Sequence, residues 1–483
     1  MIKRFFYIFV VFASTQAVTG CSTNPATGDN QFTALMSPQQ EVQVGAQEHI
    51  KILKQFGVYK DKKLQNYVSS VGKKVVQYTE RPEVDYKFFL LDSPVVNAFA
   101  LPGGYIYITR GLLALANSEA EVASVLAHET GHITARHSAE RYSRSVVTSL
   151  GAMILSSAVG SAGVSEALGV GSSLYLSSYS RGQESQADSL GIRYLSRSGY
   201  TPTGMSAFLT NLQADTALQA KIDDKSTSNA TNYFSTHPAT AERVSKTVSE
   251  ARQYAQQGIV KHAPYLRMLD GMAYGDSAAQ GFVRGNSFYH PDLGFKFSVP
   301  EGYKLKNKPS HIIASAKNGA AIIFDFASNK GRATPVSFIE NTWMKDQPIL
   351  SAQNITINGM PAATASIKGS LNGKVMTIRL IAIRWGDNQF ARFQIAMPTS
   401  LSAAQMKDLK TTTYSFNRMS AKDKSRFKPY HIKLITSKAG DSVASLSLRM
   451  AYKDHRQQRF RVLNGLKPHD RIVANRLYKI VTD

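Results

Sequence analysis

Two histidines four residues apart, with a glutamate after the first and small apolar residues before them, restrict this chain more than any other feature. The segment reads Ser118-Glu119-Ala120-Glu121-Val122-Ala123-Ser124-Val125-Leu126-Ala127-His128-Glu129-Thr130-Gly131-His132. Ser118 followed three residues later by Glu121 predicts a capping box, which fixes where the helix starts. Residues four apart on a helix lie about 40° apart around its axis, so both imidazoles share one face. Two zinc ligands need that placement, and Glu129 beside the first can reach a water at the metal as general base.

A catalytic zinc takes three protein ligands and keeps a position open. His137 lies five residues past His132, about 140° further round the helix, and is expected at the surface or next to a ligand. The longer pattern H-E-x-x-H-x-x-G-x-x-H is not met, because Ala135 stands where its glycine belongs. A later carboxylate remains. Arg181-Gly182-Gln183-Glu184-Ser185-Gln186-Ala187-Asp188 opens a helical pattern that runs to Leu195, and Glu184 and Asp188 share a face. Glu184 is assigned to the zinc and Asp188 to orienting a ligand histidine.

The N-terminus reads as an address. Lys3 and Arg4 precede a mostly apolar run from Phe5 to Ala17, too short to span a bilayer comfortably, and Val18-Thr19-Gly20-Cys21 follows. This pattern predicts a lipoprotein signal peptide over residues 1–20, diacylation of Cys21 and a tether over 21–36. Ser22 after the cysteine points to the outer membrane, facing the periplasm. Cys21 is the only cysteine of 483 residues, which excludes a disulfide scaffold and any Cys-rich zinc module. At 43% apolar and 19% charged residues the chain is globular rather than disordered, and its length suits two or three domains.

The net charge of +23 is unevenly placed. Residues 1–250 hold 22 basic and 20 acidic groups, and residues 251–483 hold 35 and 14. A boundary is therefore expected near Gly258 to Gly271. The first half reads as mostly helical: Ser37 with Gln40 forms a capping box, and apolar helical spacing runs from Leu64 to Val76. Lys87–Leu91 and Tyr105–Ile108 read as strands, with a turn at Pro102-Gly103-Gly104. The uncharged stretch from Val146 to Val164, interrupted by glycines, reads as a pair of packed core helices rather than a membrane span. In the second half Asn318-Gly319, Asn372-Gly373 and Gly386-Asp387-Asn388 separate β-rich runs, which predicts hairpins of one antiparallel sheet from about Ser287 to Met397, then a helix near Ser400 to Leu409. The expected fold class is α+β multidomain: a metal-binding domain at 37–260, an antiparallel-sheet α/β domain at 275–420 and a small βααβ module at 430–483.

Four segments together resemble a known family. They are His128-Glu129-Thr130-Gly131-His132, the Glu184-to-Asp188 segment, Asn97-Ala98-Phe99-Ala100-Leu101-Pro102-Gly103-Gly104 and Ser235-Thr236-His237-Pro238. In this order they look like peptidase family 48 of the metallopeptidases, gluzincin-type, which includes the CAAX prenyl endopeptidases and periplasmic quality-control proteases. The resemblance covers roughly Ser37 to Gln257. It implies a mainly helical zincin domain with one zinc per chain on His128, His132 and Glu184, and Glu129 as base. It also implies an edge strand around Asn97, Ala98 and Phe99 to which a substrate peptide adds. His237 is implied to lie near the metal, either stabilising the oxyanion or taking the fourth zinc position and holding the enzyme off. The chain lacks the transmembrane helices of the integral-membrane branch and the helical-repeat C-terminal domain of another. Ser437-Lys438-Ala439-Gly440-Asp441-Ser442-Val443 and Arg461-Val462-Leu463-Asn464-Gly465-Leu466 resemble a divergent LysM module, without the usual proline and Pro-Gly ending.

The expected function is a zinc endopeptidase of the bacterial envelope that degrades unfolded or misassembled envelope proteins. The alternatives are a periplasmic chaperone or assembly factor for outer-membrane proteins, and a cell-wall hydrolase. The basic second half suggests peptidoglycan or anionic lipid as a partner, besides the membrane at the lipid anchor; nucleic acid is excluded by the address.

Overall fold

The structure, a computed structural model, describes residues 21–159, 178–222, 233–237, 241–254 and 257–483, apart from 309, 330, 332 and 372–373. At its centre the helix Glu119–Thr134 is buried at every position. Ser118 Oγ caps it by accepting from the Glu121 N–H at 3.2 Å. The return arm departs from the expected box: Glu121 Oε2 accepts from the Asn117 N–H at 2.9 Å, one residue earlier than a box requires. Helix Lys62–Val76 packs against it through Leu64, Val68, Val71 and Val75, and helices Arg181–Arg197 and Thr203–Ile222 cover other sides. A three-stranded sheet completes this layer. Lys87–Leu91 runs parallel to Tyr105–Thr109, and Ala98–Leu101 pairs antiparallel on the other side of it, as an end strand lying against the central helix.

Residues 21–36 form no loose tether. Cys21–Thr23 pairs with Asn30–Phe32, Ala26 and Met36 are buried, and Asn24 Nδ2 donates to Gln186 Oε1 at 3.2 Å. Arg136 holds the exit by donating from Nη2 to the Met36 carbonyl at 2.7 Å. Residues 1–20, expected to form a signal peptide, lie outside the described residues. Of the stretch Val146 to Val164, the first part belongs to one helix, His137–Val159, and the rest lies outside them. Among the described residues no helix is long and apolar enough to cross a membrane.

The second half is arranged differently from the linear order expected. Helix His262–Leu269 buries Tyr265, Leu266 and Leu269 in the same core as Leu112, Leu126 and Phe208, so no boundary falls at 258–271. Strand Ala273–Tyr274 pairs with Tyr430–Thr436, which pairs with Leu477–Thr482. Residues 276–428 are therefore an insertion between two neighbouring strands. The insertion holds two antiparallel sheets where one was expected. Its larger sheet has seven strands, ordered Lys304–Asn307, Ile312–Ser315, Ala321–Ser328, Gln389–Pro398, Lys374–Gly386, Met360–Leu371 and Ser351–Ile357. The hairpins signalled at Asn318-Gly319 and Gly386-Asp387-Asn388 join neighbours in it, and the strands flanking the signal at 372–373, which lies outside the described residues, are paired. The smaller sheet pairs Phe282–Arg284, Ser287–His290, Phe295–Ser298 and Asn417–Arg418. Phe288, Phe295, Phe297, Phe324, Phe393 and Phe416 fill the space between the sheets and helix Ala403–Ser415.

Residues 430–483 do follow the order strand, helix, helix, strand, with helices at Val443–Ser447 and Arg456–Leu463. They do not form a core of their own. Ile432, Leu446, Phe460, Tyr478 and Ile480 join the core of the N-terminal half. Lys479 is buried there, and its ammonium donates to the carbonyls of Ala114 and Ala116 at 2.7 and 2.6 Å, just ahead of the central helix.

Candidate metal centre

Four side chains, from two helices and the segment after a short helical turn, meet on one side of the central helix. His128 and His132 present Nε2 atoms 3.1 Å apart. Glu184 places Oε2 3.6 Å from the first and Oε1 3.5 Å from the second. His237, following the short helix Tyr233–Thr236, brings Nδ1 to 3.3 Å from His128 Nε2 and 2.9 Å from Glu184 Oε1. One ligand atom from each of the four lies within 4.8 Å of the others. Tetrahedral ligands bound at zinc distances stand about 3.3–3.6 Å apart, so donor set and spacing fit a single zinc ion.

Local sequence brings Glu184 to the histidines. Ser180 and Gln183 form a full capping box and put Glu184 in the first turn of Arg181–Arg197. Glycine then lets the two helices approach. A Cβ at Gly131 would lie 3.1 Å from the Ala187 carbonyl oxygen, and one at Gly191 would lie 3.2 Å from the His128 nitrogen. Asp188, one turn after Glu184, reaches His128 from behind, with Oδ1 2.9 Å from Nδ1.

The surroundings set the charge of each group. Arg243, on helix Ala241–Ala251, forks onto Asp188, donating from Nη2 to Oδ1 at 2.9 Å and from Nε to Oδ2 at 2.5 Å. Its Nη1 lies 2.5 Å from Glu184 Oε2. Burial alone would raise both carboxyls. For Asp188 the Arg243 hydrogen bonds and charge outweigh it, and for Glu184 the histidines and Arg243 do, so both are held below the usual range. Burial pushes the carboxyl of Glu129 up, only partly offset by His237 and His128. Burial likewise holds the His132 imidazole well below its ordinary value. His237 goes the other way: Glu184 and Glu129 outweigh its burial and raise it. Glu129 is fully buried, and among the described residues neither carboxylate oxygen has a hydrogen-bond partner; His237 Nε2 lies 3.4 Å from Oε1. A buried carboxylate without partners is costly, and a water at the metal is the partner this position lacks.

Other expected residues fall in varied places. Asn97 Oδ1 accepts from Thr236 Oγ1 at 3.4 Å, tying the end strand to the His237 segment. Ala98 belongs to the main core, whereas Phe99 packs on Tyr107 and Phe56 on the opposite face. Cys21 opens the N-terminal hairpin and takes no part in the centre. His137 is buried rather than at the surface: its Nδ1 is 2.8 Å from His132 Nδ1 and its Nε2 2.6 Å from Gln186 Oε1. Burial holds it down to about 4, so it is neutral at pH 7 and able to orient His132. Sequence reasoning gave no role to Arg243, Tyr179 or Tyr233. Tyr179 stacks on His132 at 3.7 Å and Tyr233 on His237 at 4.4 Å between ring centres. Only the Ser180–Gln183 cap next to Tyr179 carried a legible signal for any of them.

The profile of peptidase family M48 matches residues 62–251, the stretch that supplies every ligand of the centre. Over this stretch the chain is similar to that family. The chain is similar to the beta-barrel assembly-enhancing protease of Escherichia coli strain K12, 30% identical over 240 residues, or 48% of this chain and 47% of that protein. The protein of the same name from Yersinia pestis is 31% identical over 216 residues, 43% of each chain. The mitochondrial metalloendopeptidase OMA1 of Schizosaccharomyces pombe is 28% identical over 180 residues, 37% of this chain and 51% of that one. The chain thus spans about half the length of the curated relatives it matches. Among solved structures, cyanobacterial PsbP from Synechocystis covers 30% of this chain and 98% of its own at 10% identity, with a TM-score of 0.23, too low to carry an argument.

Proposed function

We propose that this protein is a zinc-dependent endopeptidase of the Gram-negative envelope, anchored by lipid on Cys21 to the outer membrane and cutting misfolded or misassembled envelope proteins. The observation that carries this reading is the unpartnered carboxylate of Glu129 beside the His128, His132, Glu184 and His237 cluster. Zinc held there would supply Lewis acidity, making water a nucleophile near neutral pH and polarising a peptide carbonyl. Glu129 takes the proton from the attacking water and delivers it to the leaving amine. Asp188, fixed by Arg243, keeps the His128 ring turned toward the metal, and His137 does the same for His132. The end strand Ala98–Leu101 offers main-chain groups to an extended substrate, with Asn97 at its start.

His237 Nδ1 stands against His128 and Glu184, where it would either cover an open position until substrate displaces it or support a developing oxyanion. The names of the Escherichia coli and Yersinia pestis relatives concern assembly of β-barrels, which suggests outer-membrane proteins as clients. The LysM-like order of residues 430–483 and the positive charge of the second half suggest contact with peptidoglycan or anionic lipid heads.

Exchange of Glu129 for Gln tests the reading. Purified enzyme and variant are compared on casein, with metal content read by elemental analysis. The variant is expected to keep one zinc per chain and its thermal midpoint while losing about a thousandfold or more in cleavage. Full activity in the variant overturns the mechanism.

A further inference from the structure

A second cleft, of about 780 Å³, lies beside the metal centre. Its walls include Asn24 and Gln31 of the N-terminal hairpin, Arg141 and Arg144 of helix His137–Val159, and Tyr179 and Gln183 at the entry to helix Arg181–Arg197. Tyr179 forms the wall between it and the centre. The ring stacks on His132 at 3.7 Å, and the Arg141 guanidinium lies 3.8 Å from the centre of the same ring. The cleft is therefore one aromatic ring away from His132. The volume falls in the range of roughly 300–1,000 Å³ typical of ligand sites.

Gln31 is the anomaly of this wall. Its strand pairs it with Ser22, and alternation along Asn30–Phe32 turns Gln31 inward. An inward position held for packing alone takes an apolar side chain. Gln31 is only 5% exposed, yet among the described residues neither its Nε2 nor its Oε1 has a hydrogen-bond partner. Two polar neighbours in the wall are satisfied by contrast: Gln183 Nε2 donates to Glu140 Oε2 at 2.8 Å, and Arg144 pairs with Glu140 at 2.7 Å. An unpaired buried carboxamide is a cost that the fold does not recover within itself. It offers an acceptor and donors in one plane, the complement of a main-chain peptide unit with its own N–H and C=O.

We infer that this cleft is a subsite for extended polypeptide and that Gln31 pairs with the substrate main chain there, an inference that rests on the endopeptidase reading above. A turn about the terminal side-chain bonds presents the carboxamide to the occupant. Pairing with the main chain leaves the subsite tolerant of sequence, as a protease of diverse misfolded clients requires. The hairpin that follows Cys21 is then part of the substrate site as well as the end of an anchor.

The test compares wild type with Gln31→Leu on quenched fluorescent peptides, one short and spanning only the catalytic centre, one long enough to enter the cleft. The ratio of long-peptide to short-peptide kcat/KM is expected to fall about tenfold in the variant, mainly through KM, the size of one or two lost hydrogen bonds. The thermal midpoint is expected to stay or rise, since no folded-state hydrogen bond is removed. An unchanged ratio overturns the inference, and so does an equal loss on both peptides with a lowered midpoint, which marks a structural role. Anisotropy of a labelled long peptide is read in parallel on Glu129→Gln and Glu129→Gln/Gln31→Leu. If the wild type cuts neither peptide, the endopeptidase reading fails, and this binding decides the subsite by itself: about tenfold weaker binding in the double variant supports it, equal binding overturns it.

Discussion

His237 touches three of the groups that matter, within 2.9 Å of Glu184, 3.3 Å of His128 and 3.4 Å of Glu129. Tyr233 stacks on its ring, and the His237 N–H donates to the Tyr233 carbonyl at 2.7 Å, so it is held rather than free to drift. A residue in that position either blocks the fourth position or helps a developing oxyanion. If it blocks, His237→Ala should raise kcat/KM on casein by about tenfold, the gain expected when about nine molecules in ten are held closed. A loss of activity with zinc content unchanged points to the oxyanion role instead. At this scale the legibility of the sequence was uneven. His128, Glu129 and His132 announce themselves because four-residue spacing on a helix is a local rule. Arg243 does not, because its targets Asp188 and Glu184 are 55 and 59 positions away and nothing near Arg243 points to them.

The last strand shows what an element contributes beyond its own pairing. Leu477–Thr482 has the composition of an ordinary strand, yet it sends Lys479 into the core, where the side-chain nitrogen satisfies the carbonyls of Ala114 and Ala116. Burial pushes the Lys479 ammonium down to about 7, with only partial relief from Glu121 at the start of the central helix. In the unfolded chain that group keeps its proton to about 10.4. Between pH 7 and 10 the unfolded state therefore binds the extra proton, and this lysine makes stability climb with pH and fall again as pH drops toward 7. Denaturant unfolding at pH 7.5 and 9.5 should show a gain of about 1–3 kcal/mol in the wild type. Lys479→Met should lose that gain while lowering stability at both pH values, because two buried carbonyls are left without donors. A gain of equal size in the variant would assign the pH dependence elsewhere.

On the scale of the molecule, the insertion of residues 276–428 between Ala273–Tyr274 and Tyr430–Thr436 decides what depends on what. Tyr274 and Tyr430 are paired, so the two ends of the insertion are neighbours. Replacing 282–427 with a short Gly-Ser linker should leave a folded, zinc-binding protein with a thermal midpoint within several degrees of the full chain. Deleting 430–483 should not. That deletion strips Ile432, Phe460, Tyr478 and Ile480 from the shared core, each worth about 1.5–3 kcal/mol when fully buried, against a total stability of about 5–15 kcal/mol. Calorimetry and metal content of the two truncations check this, and a stable 1–429 fragment would refute it. The charge follows the same division. Residues 276–428 hold 21 basic and 9 acidic groups, so most of the excess sits on the part that the metal centre does not need.

The sequence by itself determined the central helix, its cap, the two histidines with Glu129, the hairpins and the uneven charge. Each of these follows from rules that act over a few residues: spacing on a helix face, a serine cap, an Asn-Gly turn. Tertiary structure alone decided that Arg243 clamps Asp188 and Glu184, that Gln31 is buried without a partner, that residues 21–36 are docked, and that the C-terminal strands share the core of the first half. Those are matters of which distant segments lie together, and hydrophobic burial does not record its partner in local order. An apolar strand such as Leu477–Thr482 reads the same whether it closes a module of its own or completes a core built some 350 residues earlier.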